Sequence, residues 1–166
     1  MSGFNIRSAR EEDVDEIFRM TNELAAYLNE PEAVLVTPEM LRMNQTKYKC
    51  VVVEDKTTDD SISVPLIGFA QYMYKFSGWK GWVLMLDSLY VAPGHRNKGI
   101  GSALYQIVAR DAAATGCNFM EILVHDWNSE AKGFYKAKGA YDYTEKMKVH
   151  LFRMPISELE KLSKPN

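Results

Sequence analysis

Hydrophobic residues recur with two different periods along the chain, and the period changes several times. Phe4 to Arg7 has the pattern of a short strand, and the apolar residues after it recur with helical spacing. Ser8 with Glu11 predicts a capping box at the start of that helix, and Thr37 followed by Pro38 predicts the start of a second one. The residues that carry the first helical pattern are Val14, Ile17, Phe18, Thr21, Leu24, Ala25 and Leu28.

Apolar runs separated by turn signals predict the remaining elements. Strands are predicted over Lys49 to Glu54, Val64 to Phe76, Trp82 to Val91, Phe119 to Val124 and Tyr143 to Met154, with the polar DKTTDDSIS as an exposed hairpin loop between the first two. Helices are predicted from Gly101 to Gly116, and from a cap at Ser129 to near Gly139. The pattern therefore predicts an α/β fold, with a mixed sheet flanked by helices in a single domain, residues 1–166.

The stretch VLMLDSLYVAPGHRNKGIGS joins a strand signal to a glycine-rich turn and a helix start. Gly99 and Gly101 lack the Cβ atoms that would hinder close approach of a ligand, and they permit a left-handed backbone that directs successive N–H groups into one hollow. The helix that follows adds free N–H groups and its positive dipole end. A glycine pair before a helix also occurs in plain tight turns. Positive charge beside it favours a phosphate-binding turn, and this charge comes from His95, Arg96 and Lys98.

The spacing of the glycines shows which known phosphate-binding motif the turn resembles. A Walker A loop requires Gly-Lys-Ser/Thr, which is missing, and the dinucleotide-binding fingerprint requires a third glycine where this chain has Leu104. Arg96-x-x-Gly99-x-Gly101 resembles instead the Arg/Gln-x-x-Gly-x-Gly/Ala pyrophosphate loop of the GNAT acetyltransferases. Within that superfamily the chain is most similar to the spermidine/spermine and thialysine acetyltransferases. The matching segments span nearly the whole chain: Glu23-Leu24-Ala25-x-Tyr27, Gly68-Phe69-Ala70, Arg96 to Ser102, Val124-x-x-Trp127-Asn128 and Phe134 to Ala140.

The resemblance implies the GNAT fold, with a mixed and mostly antiparallel central sheet flanked by helices. It also implies acetyl-CoA as the cofactor, with backbone groups of the central strand pairing with the pantetheine amides as an added strand would. By position, the cofactor contacts would be Leu89, Tyr90, Val91, Arg96, Asn97, Lys98, Gly99, Ile100, Gly101, Ser102, Asn128, Ser129, Glu130, Ala131 and Lys136.

Two residues are expected from the resemblance to carry the chemistry of acetyl transfer. In the resembled family a tyrosine protonates the departing CoA sulfur, and an acidic residue on the central strand helps deprotonate the amine through water. The matching residues are Tyr135, whose phenol is protonated at neutral pH, and Asp87, whose carboxyl interrupts an apolar strand. Packing on a helix is the alternative role for Tyr135. Bonding to backbone donors at a bulge is the alternative for Asp87.

The same resemblance places the acceptor amine against Tyr27, Leu28, Asp87, Glu121, Ile122 and Leu123. Two positions depart from the family pattern: Leu28 stands where the polyamine enzymes have an acid, and Ser88 replaces the second of two acids on the central strand. Because each ammonium group of a polyamine is best held by its own carboxylate, we expect a small amine such as thialysine or lysine rather than spermidine. A protein or peptide acetyltransferase and a non-catalytic acyl-CoA-binding module remain alternative functions.

The composition limits the classes of molecule that the protein is expected to bind. The 166 residues include 20 basic and 22 acidic ones in mixed order, for a net charge of −2, so no nucleic-acid surface is predicted. No apolar run reaches the roughly 18 residues of a membrane span, and no signal peptide is recognised, so we expect a cytoplasmic protein. The two cysteines give neither a disulfide framework nor a metal-binding spacing, so no metal is expected. The resemblance implies a homodimer.

Overall fold

A five-stranded sheet forms the centre of the first part of the chain. The structure, a computed structural model, describes residues 3–57 and 64–163, and the chain groups into two compact units, Met1–Leu123 and Val124–Asn166. The strands of the first unit are β1 Phe4–Ser8, β2 Lys49–Asp55, β3 Leu66–Ser77, β4 Gly81–Val91 and β5 Phe119–Ile122. The helices are α1 Val14–Tyr27, α2 Pro38–Met43 and α3 Ile100–Ala114 in the first unit, and α4 Ser129–Lys136, α5 Tyr143–Met147 and α6 Ile156–Leu162 in the second.

The strands lie in chain order across the sheet, from β1 to β5. Neighbours from β1 to β4 are antiparallel, and β4 and β5 are parallel. A parallel pair needs a crossover connection, which α3 supplies. The predicted mixed and mostly antiparallel sheet is therefore confirmed. Most of the loop predicted between β2 and β3 lies outside the described residues, which omit 58–63.

Successive residues of β3 point to opposite faces of the sheet, and each face is covered by a different helix. Phe69 packs in a buried cluster with Ile17 of α1 and Tyr90 of β4. Tyr74 points to the other face, where its hydroxyl donates a hydrogen bond to Asp111 of α3. The buried side of α3 has the helical spacing expected of a core-facing stripe, and it consists of Ile100, Leu104, Tyr105, Val108 and Ala112.

A half-buried arginine joins β1 to its neighbours. Arg7 donates two hydrogen bonds to Asp13, at 2.6 and 2.9 Å, and one to Glu54 of β2 at 2.5 Å. Burial disfavours the charged form of Asp13, but the hydrogen bonds from Arg7 and from the amide of Arg10, together with the positive charges of both arginines, outweigh this effect and hold the pKa of Asp13 below its ordinary value. The ion pairs therefore fix β1 and β2 to the chain segment that leads into α1.

Capping signals in the sequence predict two helix starts in the first unit, and one of these predictions is confirmed. Thr37 caps α2, and its hydroxyl accepts a hydrogen bond from the amide of Met40 at 3.2 Å, which confirms the prediction. The capping box predicted from Ser8 and Glu11 is wrong because Ser8 still belongs to β1. The amide of Arg10 donates instead to the carboxylate three residues later, at 2.7 Å.

Asn128, and not Ser129, caps the first helix of the second unit. Its side-chain oxygen accepts a hydrogen bond from the amide of Ala131 at 3.1 Å, so Ser129 is the first helical residue. The helix ends at Lys136, and Gly139 follows with a left-handed φ of 94°. The prediction of a glycine after this helix is confirmed, and the prediction of its cap was one residue too late.

The strand predicted over Tyr143 to Met154 is wrong. Asp142 caps α5 by accepting a hydrogen bond from the amide of Glu145 at 2.9 Å, and Lys148 ends the helix with a φ of 53°. Residues 148–155 lie in neither a helix nor a strand. An extended segment becomes a strand only when another strand bonds its backbone, and within the described residues none pairs with this one.

Asp13→Asn should lower the free energy of unfolding by about 2–4 kcal/mol, because it removes one of the two carboxylates that neutralise the half-buried Arg7 guanidinium. Urea denaturation measures the change. Asp15→Asn is the matched control, since Asp15 pairs with Arg42 at an exposed site where the loss should stay below about 1 kcal/mol. Equal losses at the two sites would contradict the assignment.

The lowered pKa of Asp13 gives the same variant a pH dependence. A carboxyl whose pKa is lowered by folding stabilises the folded state fully above its unfolded-state pKa of about 4 and loses this contribution as the pH falls through its folded-state pKa. The stability difference between wild type and Asp13→Asn should therefore shrink below about pH 4.

Candidate active site

β4 and β5 run side by side for only part of their length. Val83 to Leu86 pair with Phe119 to Ile122, and the pairing stops there. β4 continues to Val91, bonded to β3 on its other side. Among the described residues no strand pairs with the remaining edge, so the backbone groups that face it can bond an extended ligand. This free edge of β4 consists of residues 87–91 and includes the predicted pantetheine contacts Leu89, Tyr90 and Val91.

Asp87 is the extra residue of a β-bulge at the point where the two strands part. Gln71 pairs with Ser88 and Tyr72 pairs with Leu86, so Asp87 has no residue opposite it on β3. Its side chain is reached by solvent. Desolvation by the surrounding protein nevertheless raises the pKa of the carboxyl, and a hydrogen bond with Ser88 opposes the rise. A carboxyl with a raised pKa exchanges its proton closer to neutral pH than an ordinary aspartate does.

The turn after β4, residues 92–99, presents backbone N–H groups. It begins with a short 3₁₀ turn, Pro93–His95, and continues through Asn97 and Gly99, whose φ values are 61° and 81°. Left-handed residues in such a turn direct neighbouring N–H groups towards one hollow. α3 starts directly afterwards at Ile100, and the first N–H groups of a helix have no acceptor within it. The turn and the helix start together fit an anion such as a phosphate.

Gly99 and Gly101 contribute to this turn in different ways. The φ of Gly99, 81°, is a conformation that strains any residue with a side chain. Gly101 is not left-handed, and a Cβ on it would lie 3.9 Å from side-chain atoms of both Leu89 and Val91, an ordinary contact distance. The fold itself therefore accepts a Cβ at position 101. Close approach of a ligand is the physical reason that remains for glycine there.

Two basic side chains of the turn are bound to other parts of the protein. The Nε of Arg96 donates a hydrogen bond to the carbonyl oxygen of Val91 at 3.0 Å, and its guanidinium carbon lies 5.0 Å from the centre of the Tyr27 ring. The Nζ of Lys98 donates to the carbonyl oxygen of Gly94 at 3.0 Å. Both keep their charge and further N–H donors near the turn, beside the backbone N–H groups.

The end of α1 carries two predicted acceptor residues. Tyr27 is the last residue of the helix and is 39% exposed, and the half-buried Leu28 caps the helix. One turn earlier, Glu23 accepts a hydrogen bond from the hydroxyl of Tyr90. No role for Glu23 is predicted from the sequence, although its spacing of four residues from Tyr27 indicates a shared face of the helix.

Glu121 of β5, also a predicted acceptor residue, is neutralised by lysines. Its carboxylate accepts a hydrogen bond from Lys75 of β3 and lies 3.7 Å from the Nζ of Lys80. The two predicted residues after it are apolar, and Leu123 is 66% exposed. Of the acidic residues predicted to face the amine, Asp87 is therefore the one without a lysine partner among the described ion pairs.

The predicted site residues of the second unit all belong to α4 and its cap. Asn128 caps the helix, Ser129, Glu130 and Ala131 form its first turn, and Tyr135 and Lys136 end it. Tyr135 is half-buried, and its ring stands edge-on to Phe134 with 5.2 Å between the ring centres. The predicted cofactor contacts Asn128 to Ala131 therefore lie at the start of α4, and Lys136 and the phenol of Tyr135 lie at its end.

A cavity of about 760 Å³ lies at the other end of the sheet from the turn, beside Cys50 and Asp111. Asp111 accepts hydrogen bonds from Lys49, at 2.9 Å, and from Tyr74. Burial raises the pKa of the Cys50 thiol to about 12, so this thiol stays protonated and unreactive. None of the predicted site residues lines this cavity, and among the described residues every buried side-chain polar atom has a hydrogen-bond partner.

Two further kinds of site are absent from the part of the chain that the structure describes. No group of three or more histidine, cysteine, aspartate and glutamate side chains there could hold a metal ion. No helix there is long and apolar enough to cross a lipid bilayer.

Known proteins are similar to this chain in sequence and in fold over nearly its whole length. The model of the Acetyltransferase (GNAT) family matches residues 12–140. A thialysine N-epsilon-acetyltransferase from Bos taurus is 36% identical over 163 residues, which cover 95% of this chain and 96% of that protein. The spermidine/spermine N(1)-acetyltransferase-like protein 1 of Homo sapiens is 32% identical over 163 residues, 96% of this chain and 24% of that protein. A solved integron cassette protein from V. cholerae superposes with a TM-score of 0.72 at 22% identity, covering 99% of both chains.

The two glycines of the turn should respond differently to substitution. Gly99→Ala should lower the free energy of unfolding by about 1–2 kcal/mol because of its left-handed backbone, whereas Gly101→Ala should change it by less than about 1 kcal/mol. Gly101→Val should also fold, but it should lose most of the thermal stabilisation given by acetyl-CoA, because its branched side chain enters the space of the ligand. Melting curves with and without acetyl-CoA measure both effects. Full stabilisation of folded Gly101→Val would show that the turn is not the phosphate site.

Proposed function

Because this chain belongs to the GNAT acetyltransferase family and is an acetyl-CoA-dependent N-acetyltransferase, we propose that it acetylates a small primary amine of the thialysine or lysine type. The free edge of β4, which leads directly into the N–H-lined turn, is the observation that carries the proposal. Acetyl-CoA has the same order of groups: an extended chain with two amides, followed by a pyrophosphate.

The cofactor contacts follow from that correspondence. Leu89 to Val91 offer backbone groups to the pantetheine amides, and Asn97 to Ser102 offer N–H groups to the pyrophosphate. In the second unit, Asn128 to Ala131 and Lys136 are the further proposed cofactor contacts. We regard residues 1–166 as one functional domain.

Acetyl transfer forms a bond between the amine nitrogen and the acetyl carbon, and it breaks the bond between that carbon and the CoA sulfur. The amine must lose a proton before it attacks, and the departing thiolate must gain one. We assign the first transfer to Asp87, acting through water, and the second to Tyr135. The pKa of Asp87, raised by desolvation, suits a group that takes a proton from an ammonium ion. The thioester carbonyl becomes negatively charged in the transition state, and backbone N–H groups of β4 are the proposed donors.

The charges around the acceptor residues favour a small amine. Among the described ion pairs, Glu121 is occupied by two lysines and Glu23 by Arg19. Leu28 and Ser88 carry no charge, so Asp87 is the acidic residue of this region without a basic partner in those pairs. A polyamine carries several ammonium groups that each need a carboxylate, and this arrangement does not provide them. Relatives named thialysine N-epsilon-acetyltransferase, which are 33–36% identical to the chain, support the same choice.

We further propose that the enzyme is a cytoplasmic homodimer. The second unit exposes a run of large apolar residues around its irregular segment, and a single copy rarely leaves such a run uncovered. Phe152 is 91% exposed and Leu151 is 73% exposed. The two cysteines are free, as is usual in a reducing compartment.

A panel of acceptors tests the proposed substrate, with release of free CoA as the readout. Thialysine or lysine should give the highest kcat/KM, above spermidine and above peptides with a free N-terminus or lysine. Leu28→Glu/Ser88→Asp should shift the ratio of kcat/KM values towards spermidine by roughly tenfold or more, since each charge-assisted contact contributes about 1.5–3 kcal/mol.

Leu28→Gln/Ser88→Asn is the matched control, because it changes side-chain size in the same way without adding charge. Efficient spermidine acetylation by the wild type would contradict the choice of a small amine. CoA release with peptides alone would favour a peptide acetyltransferase, and acetyl-CoA binding without release with any acceptor would favour a non-catalytic binding module.

Tyr135→Phe tests the general acid. The substitution keeps the ring and removes the proton donor, so kcat should fall by roughly 10²- to 10⁴-fold while the Kd for acetyl-CoA stays nearly constant. Tyr141→Phe, at an exposed tyrosine of the same unit, is the control and should keep wild-type kcat. An unchanged kcat in Tyr135→Phe would leave the residue a packing role.

A further inference from the structure

Two contacts connect the end of β4 and the turn after it to the last turns of α1. The hydroxyl of Tyr90 donates a hydrogen bond to Glu23. Arg96 donates from Nε to the carbonyl oxygen of Val91 at 3.0 Å and places its guanidinium carbon 5.0 Å from the centre of the Tyr27 ring. Because Glu23 and Tyr27 are four residues apart, both contacts reach the same face of the helix.

The contact of Arg96 depends on the planar shape of its side chain. The face of a guanidinium can cover an aromatic ring while its edge donates hydrogen bonds, which the compact ammonium group of a lysine cannot reproduce. Arg96 is half-buried, and removal of water strengthens the attraction between a cation and a ring. Arg96, the first residue of the Arg96-x-x-Gly99-x-Gly101 motif, therefore points towards α1.

The place that Arg96 reaches is the end of a helix. α1 stops at Tyr27, and Asn29 turns the chain with a φ of 60°. Helix ends open more readily than helix centres unless tertiary contacts hold them. The Arg96 guanidinium is one of the groups that hold the Tyr27 ring at this end of the helix.

We propose that Arg96 is a positioning residue for the acceptor site rather than a ligand of the cofactor phosphates. Its bond to Val91 fixes the guanidinium, and the guanidinium fixes the Tyr27 ring, so the acceptor end of α1 and the cofactor turn move together. The inference rests on the proposed function, because it takes Tyr27 as an acceptor residue. It follows that a cofactor bound at the turn also restricts the motion of the end of α1, where the amine binds.

Kinetics of Arg96→Gln and Tyr27→Leu test the proposal. Each variant should raise the KM for the amine by roughly three- to thirtyfold, the range expected for loss of a cation–ring contact. The kcat and the Kd for acetyl-CoA should change by less than about twofold. The double variant should be no worse than either single one, since both remove the same contact. Tyr27→Phe keeps the ring and should restore most of the wild-type KM.

Two comparisons separate positioning from other roles. Arg42→Gln removes an arginine from an exposed ion pair elsewhere in the same unit and should leave all constants unchanged. Acetyl-pantetheine lacks the pyrophosphate, so it tests the competing role directly. If Arg96 held a phosphate, Arg96→Gln would weaken acetyl-CoA binding more than about tenfold and leave acetyl-pantetheine unaffected, and this result would overturn the proposal.

Hydrogen exchange provides a readout that needs no turnover. Acetyl-CoA should slow exchange of the amides at the end of α1, including Leu28 and Glu30, in wild type and Tyr27→Phe, and should do so far less in Arg96→Gln. Cofactor-dependent protection without acetylation of any amine would contradict the proposed function alone. Equal protection in Arg96→Gln and wild type, or additive losses in the double variant, would contradict the role of Arg96. Melting curves confirm that each variant is folded before these comparisons are made.

Discussion

The parting of β4 from β5 is the constraint on which the candidate site depends. A strand in the middle of a sheet normally bonds neighbours on both sides, but β4 does so only as far as Leu86. Backbone groups left without a partner must find water or a ligand. In this chain they lie on a partly buried strand that leads directly into the turn, residues 92–99. The proposed cofactor edge therefore comes from the backbone, without any unusual side chain.

Backbone and side chains contribute differently to the turn after β4. Left-handed residues at Asn97 and Gly99 and the start of α3 provide the directed donors. Arg96 and Lys98 each donate a hydrogen bond within the protein and keep their charge near the turn. The proposed anion site therefore rests mainly on backbone geometry.

The sequence predicts the fold and the location of the turn well because both rest on local signals. The turn, the helix after it and most of the predicted strands are confirmed, and so is the family resemblance read from the motifs; of the two glycines, Gly99 has the left-handed backbone and Gly101 does not. The strand predicted at Tyr143 to Met154 failed because an apolar run does not reveal whether another strand is available to bond it. The direction of Arg96 was also missed, because its partner Tyr27 lies far away in the sequence and only the packing of α1 against the sheet brings them together.

The bulge at Asp87 also explains why Leu86 and Tyr90 point to opposite faces of the sheet. Before the bulge, Leu86 pairs with Tyr72 and shares its face, the side of α3. After it, Tyr90 pairs with Phe69 and points to α1 instead, although Leu86 and Tyr90 are an even number of residues apart. Loss of Asp87 would leave the same pairs in a regular ladder, so Leu86 would stay on the side of α3 and Tyr90 on the side of α1. The bulge therefore adds one side chain at the point where β4 parts from β5, without disturbing the packing before or after it.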